Sequence, residues 1–194
     1  MTIITIGDSH STIVHGSWPA YVSVQHLGPK LCYSFGQNPF ELSGSSPGDT
    51  VIFCLGEIDC RCHVHKYVTE TVTYQFIIDK LIENYIKTIK NAVQNKGVRT
   101  CIYNVVPHTK LEVVSDQGAA YPTVGSDEER KTYTLYFNQK VKEKCNENGF
   151  IFFDVYDDYA DQDGFLKREL SDGNVHIGNG EFIVKKLESL GITP

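Results

Sequence analysis

Thr2-Ile3-Ile4-Thr5-Ile6 runs directly into Gly7-Asp8-Ser9-His10 at the head of the chain. The first segment reads as a buried strand, and the second places a serine hydroxyl where a parallel strand gives way to a helix. Near the other end stands Ser171-Asp172-Gly173-Asn174-Val175-His176, with an acid and an imidazole four residues apart in a predicted loop. If the two ends fold together, these residues supply a nucleophile, a base and an orienting acid. Serine is a weak nucleophile until a base takes its proton and a third group fixes that base.

Four further apolar runs read as strands: Lys30–Phe35, Thr50–Leu55, Thr100–Val106 and Phe150–Tyr156. Most are continuous rather than alternating, the pattern of strands covered on both faces in a parallel sheet. A stripe of Ile78, Leu81, Ile82, Tyr85, Ile86, Ile89 and Val93 predicts a helix from about Thr73 to Asn95, stopped by Gly97. Ser126-x-x-Glu129 opens a second helix as a capping box, ending near Gly149. A third covers about Gly180 to Leu190, and a short one is placed at Ser17–Gln25. Strands alternating with helices imply βαβ crossovers. The expected fold is a three-layer α/β/α sandwich around a flavodoxin-like parallel five-stranded sheet, one domain over residues 1–194. Sites in such sheets lie beyond the carboxyl ends of the strands, where Ser9, Gly36, Gly56 and His108 all fall. The long connection Pro107–Gly125 would leave the same rim, as a substrate cover.

Composition narrows the partners. The 194 residues are 41% hydrophobic and 22% charged, ordinary for a globular protein able to bury a full core. A net charge of -6 gives no electrostatic reason to expect nucleic acid or an anionic membrane surface. No apolar stretch reaches the roughly 18 residues of a membrane span, and no secretory leader is expected ahead of a strand that starts at Thr2. Cys32, Cys54 and Cys101 sit inside apolar runs, which suits free thiols in a reducing cytoplasm better than a disulfide framework. Cys60-Arg61-Cys62-His63-Val64-His65 has metal-ligand residue types, but Cys-x-Cys is too close for the usual zinc knuckle, and a plain loop is favoured. Neither a Gly-x-Gly-x-x-Gly nor a Walker-type loop occurs, so no cofactor is expected.

In order and spacing, nearly the whole chain resembles the SGNH (GDSL-type) hydrolases. That family opens with Gly-Asp-Ser at the end of its first strand and closes with an Asp and a His before its last helix. The resemblance implies Ser9 as nucleophile, His176 as base and Asp172 as the orienting acid. In the family the acid usually stands three residues before the histidine; here Gly173 holds that place, and a one-residue bulge or another group would restore the geometry. A glycine amide from the second block should face the oxyanion, for which Gly36 is the first candidate, with Gly28 and Gly44 behind it. The third block is usually Gly-x-Asn-Asp, its asparagine a further oxyanion donor. This chain reads Gly56-Glu57-Ile58-Asp59-Cys60-Arg61, with no donor on Ile58.

Arg61 offers five donors and a permanent charge as a replacement, held by Glu57 or Asp59. The three also read as a structural ion-pair network. His10 either lines the pocket or caps the turn that follows Ser9. The resemblance implies a serine esterase acting on O-acyl, often acetyl, groups. A polar rim suits a small acylated sugar as substrate. An acyltransferase with the same triad and a non-catalytic glycan-binding module on the same fold remain as alternatives.

Overall fold

β1 (Ile3–Gly7) is buried at every position because it is covered on both faces and paired on both edges. The computed structural model describes residues 1–114 and 119–193. Its five-stranded sheet is parallel throughout, in the order β2-β1-β3-β4-β5. The strands are β2 (Ser23–His26), β3 (Thr50–Cys54), β4 (Arg99–Tyr103) and β5 (Ile151–Phe153). Alternate side chains go to opposite faces. Ile4, Ile6, Val51, Phe53 and Ile102 enter one core, against Ile78, Ile82 and Ile89 of α3 (Tyr74–Val93) and Phe137 and Val141 of α4 (Asp127–Asn148). Ile3, Ile52, Cys54, Cys101 and Phe153 enter the other, with Trp18 and with Ile183 and Leu187 of α6 (Glu181–Ser189). Two cores on one sheet make the α/β/α sandwich that the continuous apolar runs implied.

The helix ends follow local chemistry. The Thr73 hydroxyl accepts the Phe76 amide at the start of α3. Ser126 and Glu129 form the reciprocal capping box of α4, and Gly149 closes that helix at φ 69°.

Two elements differ from the sequence expectation, and they exchange places. The run Lys30–Phe35 is not a strand: Cys32–Gly36 forms the short helix α1. The Asp59 carboxylate accepts the Cys32 and Tyr33 amides at 2.7 and 3.1 Å and so caps the helix from the π-helical turn Asp59–His63, where a plain loop was expected. Buried Cys32 and Phe35, with Tyr33 exposed, show a helical rather than an alternating period. The second strand instead is Ser23–His26, which overlaps the end of Ser17–Gln25, where a helix was expected. It is an edge strand that pairs only with β1, so it carries polar residues and lacks the apolar signal of a central strand. β4 and β5 also end earlier than expected, which lengthens the loops at the carboxyl rim.

Candidate active site

Ser9 and His176, 167 residues apart, meet above the carboxyl end of β1: Ser9 Oγ lies 2.9 Å from His176 Nε2. On the other side of the ring, His176 Nδ1 lies 2.9 Å from Asp172 Oδ2. An ionised carboxylate only accepts, so Nδ1 carries the proton and Nε2 is left to accept from the serine hydroxyl. That is the tautomer a general base needs.

The backbone explains why Ser9 stands there. A Cβ on Gly7 would come within 1.9 Å of the Cys54 carbonyl oxygen, so only glycine lets β1 run this close to the end of β3. Asp8 then turns the chain, its carboxylate accepting the His10 amide at 2.9 Å and capping the 3-10 turn Ser9–Ser11. On the facing loop, Asp172 Oδ1 accepts the amides of Asn174 and His176 at 2.8 and 3.2 Å. Gly173, at φ 87°, supplies the left-handed residue of this bulge, which absorbs the extra residue between acid and base. Thr109 donates to the Asn174 carbonyl at 2.6 Å and braces the loop from the β4 side.

The electrostatics suit proton transfer. Burial, and next the His10 charge, bring His176 down to about 4 despite Asp172, so its ring is neutral near pH 7. Burial works against the Asp172 charge, but the Asn174 amide and the His176 ring outweigh it and hold the carboxyl below its usual range. The serine proton thus has an acceptor, and the resulting imidazolium has a fixed counter-charge.

The remaining candidates go elsewhere. Gly36 is corrected: it ends α1 against α3, where a Cβ would meet Asn84 and the Tyr85 amide at 3.0 Å, so it serves helix packing and not the rim. Gly28 takes the rim position. It follows β2, whose last residue, His26, pairs with Gly7, and it adopts φ 73°. Asp59 is also corrected. It is buried with both oxygens engaged by the start of α1, and burial raises its carboxyl to about 7 against those two hydrogen bonds. Glu57 is buried at 2.6 Å from Arg61 Nε, and Arg61 also donates to the Tyr121 carbonyl. Burial penalises the Glu57 charge, but Arg61, His10 and His108 together hold that carboxyl at about 2.

His108 is buried rather than solvated, 2.6 Å from the Thr134 hydroxyl and 3.8 Å from Glu57. Ile58, at the asparagine position, is buried. Cys60 and Cys62 are buried free thiols. Among the described residues, one group of metal-capable side chains converges, His15, Asp172 and His176; the last two are already joined in the relay. In the Pro107–Gly125 connection, Ser115–Gly118 lie outside the described residues.

Neither a protein-family model nor a curated protein matches the sequence. Solved structures do match. A candidate platelet activating factor from Streptococcus pneumonia shares 18% identity at TM-score 0.64, over 97% of this chain and 83% of its own. A GDSL-like lipase from Bacteroides thetaiotaomicron VPI-5482 shares 12% at TM-score 0.60, over 98% and 87%. A candidate SGNH hydrolase from Slackia heliotrinireducens shares 14% at TM-score 0.59, over 99% and 98%. The chain has the SGNH hydrolase fold, and Ser9, Asp172 and His176 converge at the rim of its parallel sheet.

Proposed function

We propose that the protein is a serine ester hydrolase acting on small O-acyl esters, acetyl esters of a carbohydrate foremost. The observation that carries this reading is the unbroken relay Ser9–His176–Asp172, with both contacts at 2.9 Å. Ser9 Oγ bonds the ester carbonyl carbon as its proton passes to His176 Nε2. Asp172 steadies the imidazolium, and the Ser9 and Gly28 amides take the oxyanion. When the carbon–oxygen bond breaks, the leaving alcohol takes the proton from His176. Water then repeats the sequence, frees the carboxylic acid and restores Ser9. With isoleucine at position 58, one side-chain oxyanion donor is missing, which costs about 10²–10³ in rate against a site that has it. Six buried free thiols support a reducing compartment.

One feature favours a second substrate class. An apolar groove of about 550 Å³ lies between α1, α2 (Val64–Tyr67) and α3, lined by Leu31, Tyr33, Val64, Tyr67, Phe76 and Leu81 among others. Such a groove suits an apolar acyl or aryl group better than a sugar, and Ser9, Asp172 and His176 stand outside its lining. A p-nitrophenyl ester series from acetate to octanoate, run beside acetylated monosaccharides, separates the two. The acetyl-sugar reading expects acetate to be the best acyl group, and rising kcat/KM with chain length overturns it. No turnover by native protein, or turnover that survives Ser9→Ala, overturns the hydrolase itself.

A further inference from the structure

Beneath the relay lies a second acid–imidazole pair, which the ester chemistry does not use. His10 is buried, and its Nδ1 lies 3.2 Å from Asp8 Oδ1. Its Nε2 lies 3.4 Å from the carbonyl oxygen of Val175, the residue before the base. A carboxylate and a backbone carbonyl are both acceptors, so the ring satisfies both contacts only with a proton on each nitrogen. The His10 and His176 rings are 4.7 Å apart, centroid to centroid, and tilted by 43°. The His10 carbonyl in turn accepts the indole N–H of buried Trp18 at 2.8 Å, which locks the residue in place.

We propose that His10 is a resident imidazolium that positions the loop of the base through Val175 and, by its charge, weakens His176 as a base and strengthens it as an acid. His10 is therefore a positioning residue. It goes beyond the expectation that His10 lines the pocket or caps a turn, and it rests on His176 being the proton carrier of the proposed hydrolase.

The surroundings agree. Around His10 stand Asp8 from its own turn, Glu57 from the helical turn after β3, His108 from the loop after β4, and His176 from the last loop. Burial penalises its charge, yet the Asp8 contact and then the Glu57 charge raise it above the ordinary histidine value. The two carboxylates hold the positive charge, and His176 feels it. A like charge at this distance disfavours protonation of the base, so less of the enzyme is inactivated by acid. Once protonated, His176 passes its proton more readily to the leaving alcohol.

The experiment reads ring protonation directly and needs no turnover. Side-chain nitrogen NMR of histidine-labelled protein, native and His10→Asn, is followed over pH 4 to 8, with Ser9→Ala as a background that cannot react. His10 should be protonated on both nitrogens at pH 7, and the His176 titration should move up in His10→Asn. Each unit of that shift leaves about tenfold less neutral base at a pH below the titration. Where esters are turned over, the acid limb of kcat/KM should follow the NMR shift, with KM little changed. Circular dichroism and the fluorescence of the sole tryptophan, Trp18, check that His10→Asn is folded. If it is not, His10→Gln and Asp8→Asn carry the comparison, the latter expected to release the His10 proton. A His10 neutral at pH 7, or a His176 titration unmoved by removing the charge, overturns the proposal. Missing esterase activity alone bears on the hydrolase reading and leaves this readout intact.

Discussion

At the residue scale, one added residue between acid and base decides whether the relay can close. Asp172 reaches His176 because Gly173 takes a left-handed turn and the carboxylate also captures two loop amides. Asp172→Asn keeps the shape but offers the ring an amide in place of an anion, and kcat should fall about 10⁴-fold, as when the carboxylate of a Ser-His-Asp triad is lost. Steady-state kinetics on a p-nitrophenyl ester check this. A His176 that titrates at about 4 must be neutral to accept a proton. Activity should therefore hold from neutral pH through pH 5 and be lost as pH falls through about 4. A kcat/KM profile whose acid limb lies near 6.5, the ordinary histidine value, would contradict it. Serine, acid and base were legible in the chain because each sits in a short motif at a strand or helix boundary. The role of His10 was not, because it depends on Val175, a backbone carbonyl that no side-chain pattern reports.

Among the elements, the exchange of β2 and α1 shows where legibility ends. β1 and β3 announce themselves by apolar runs because both faces are covered. An edge strand such as Ser23–His26 has no need of such a run, and Leu31–Phe35 is apolar because it packs as a helix on α3. The start of α1 is secured by Asp59, a contact 26 and 27 residues away in sequence that local propensity cannot foresee. Expecting that strand at Lys30–Phe35 also put Gly36 at the rim, the place that Gly28 takes after β2. Asp59→Ala should weaken the α1 start by about 0.5–2 kcal/mol, as cap removals do, read as a lower denaturant midpoint. Gly56→Ala should be worse. The residue has φ 115°, and a Cβ there would come within 2.5 Å of the buried Phe137 ring, so that ring or the helix carrying it would have to shift. Its thermal midpoint should fall well below that of Gly28→Ala, whose Cβ meets nothing within 4 Å and carries only backbone strain.

For the whole molecule, stability rests on two cores and a buried charge network between sheet and rim. Trp18 fills the α6 side beside Tyr103 and Phe153, with ring centroids 5.3 and 5.5 Å away. Trp18→Ala should cost about 3–5 kcal/mol in urea unfolding, monitored by circular dichroism. Glu57 links folding to pH. Its folded value of about 2 lies below its ordinary 4.5, so its contribution is fully present above 4.5 and is lost as pH falls through about 2. Glu57→Gln should remove that acid-dependent part. It should also lower stability at pH 7, by about 3–5 kcal/mol where a buried pair is broken by losing one partner.

Ser9 and His176 lie 167 residues apart, at opposite ends of the strand-and-helix succession. A chain emerging from the ribosome exposes Ser9 first and gains its proton acceptor only when the final loop docks beside α6. Synthesis intermediates and C-terminally clipped fragments would then hold an unactivated alcohol, whichever strands they had already assembled. Turnover would report that the loop carrying His176 had docked against the end of β1.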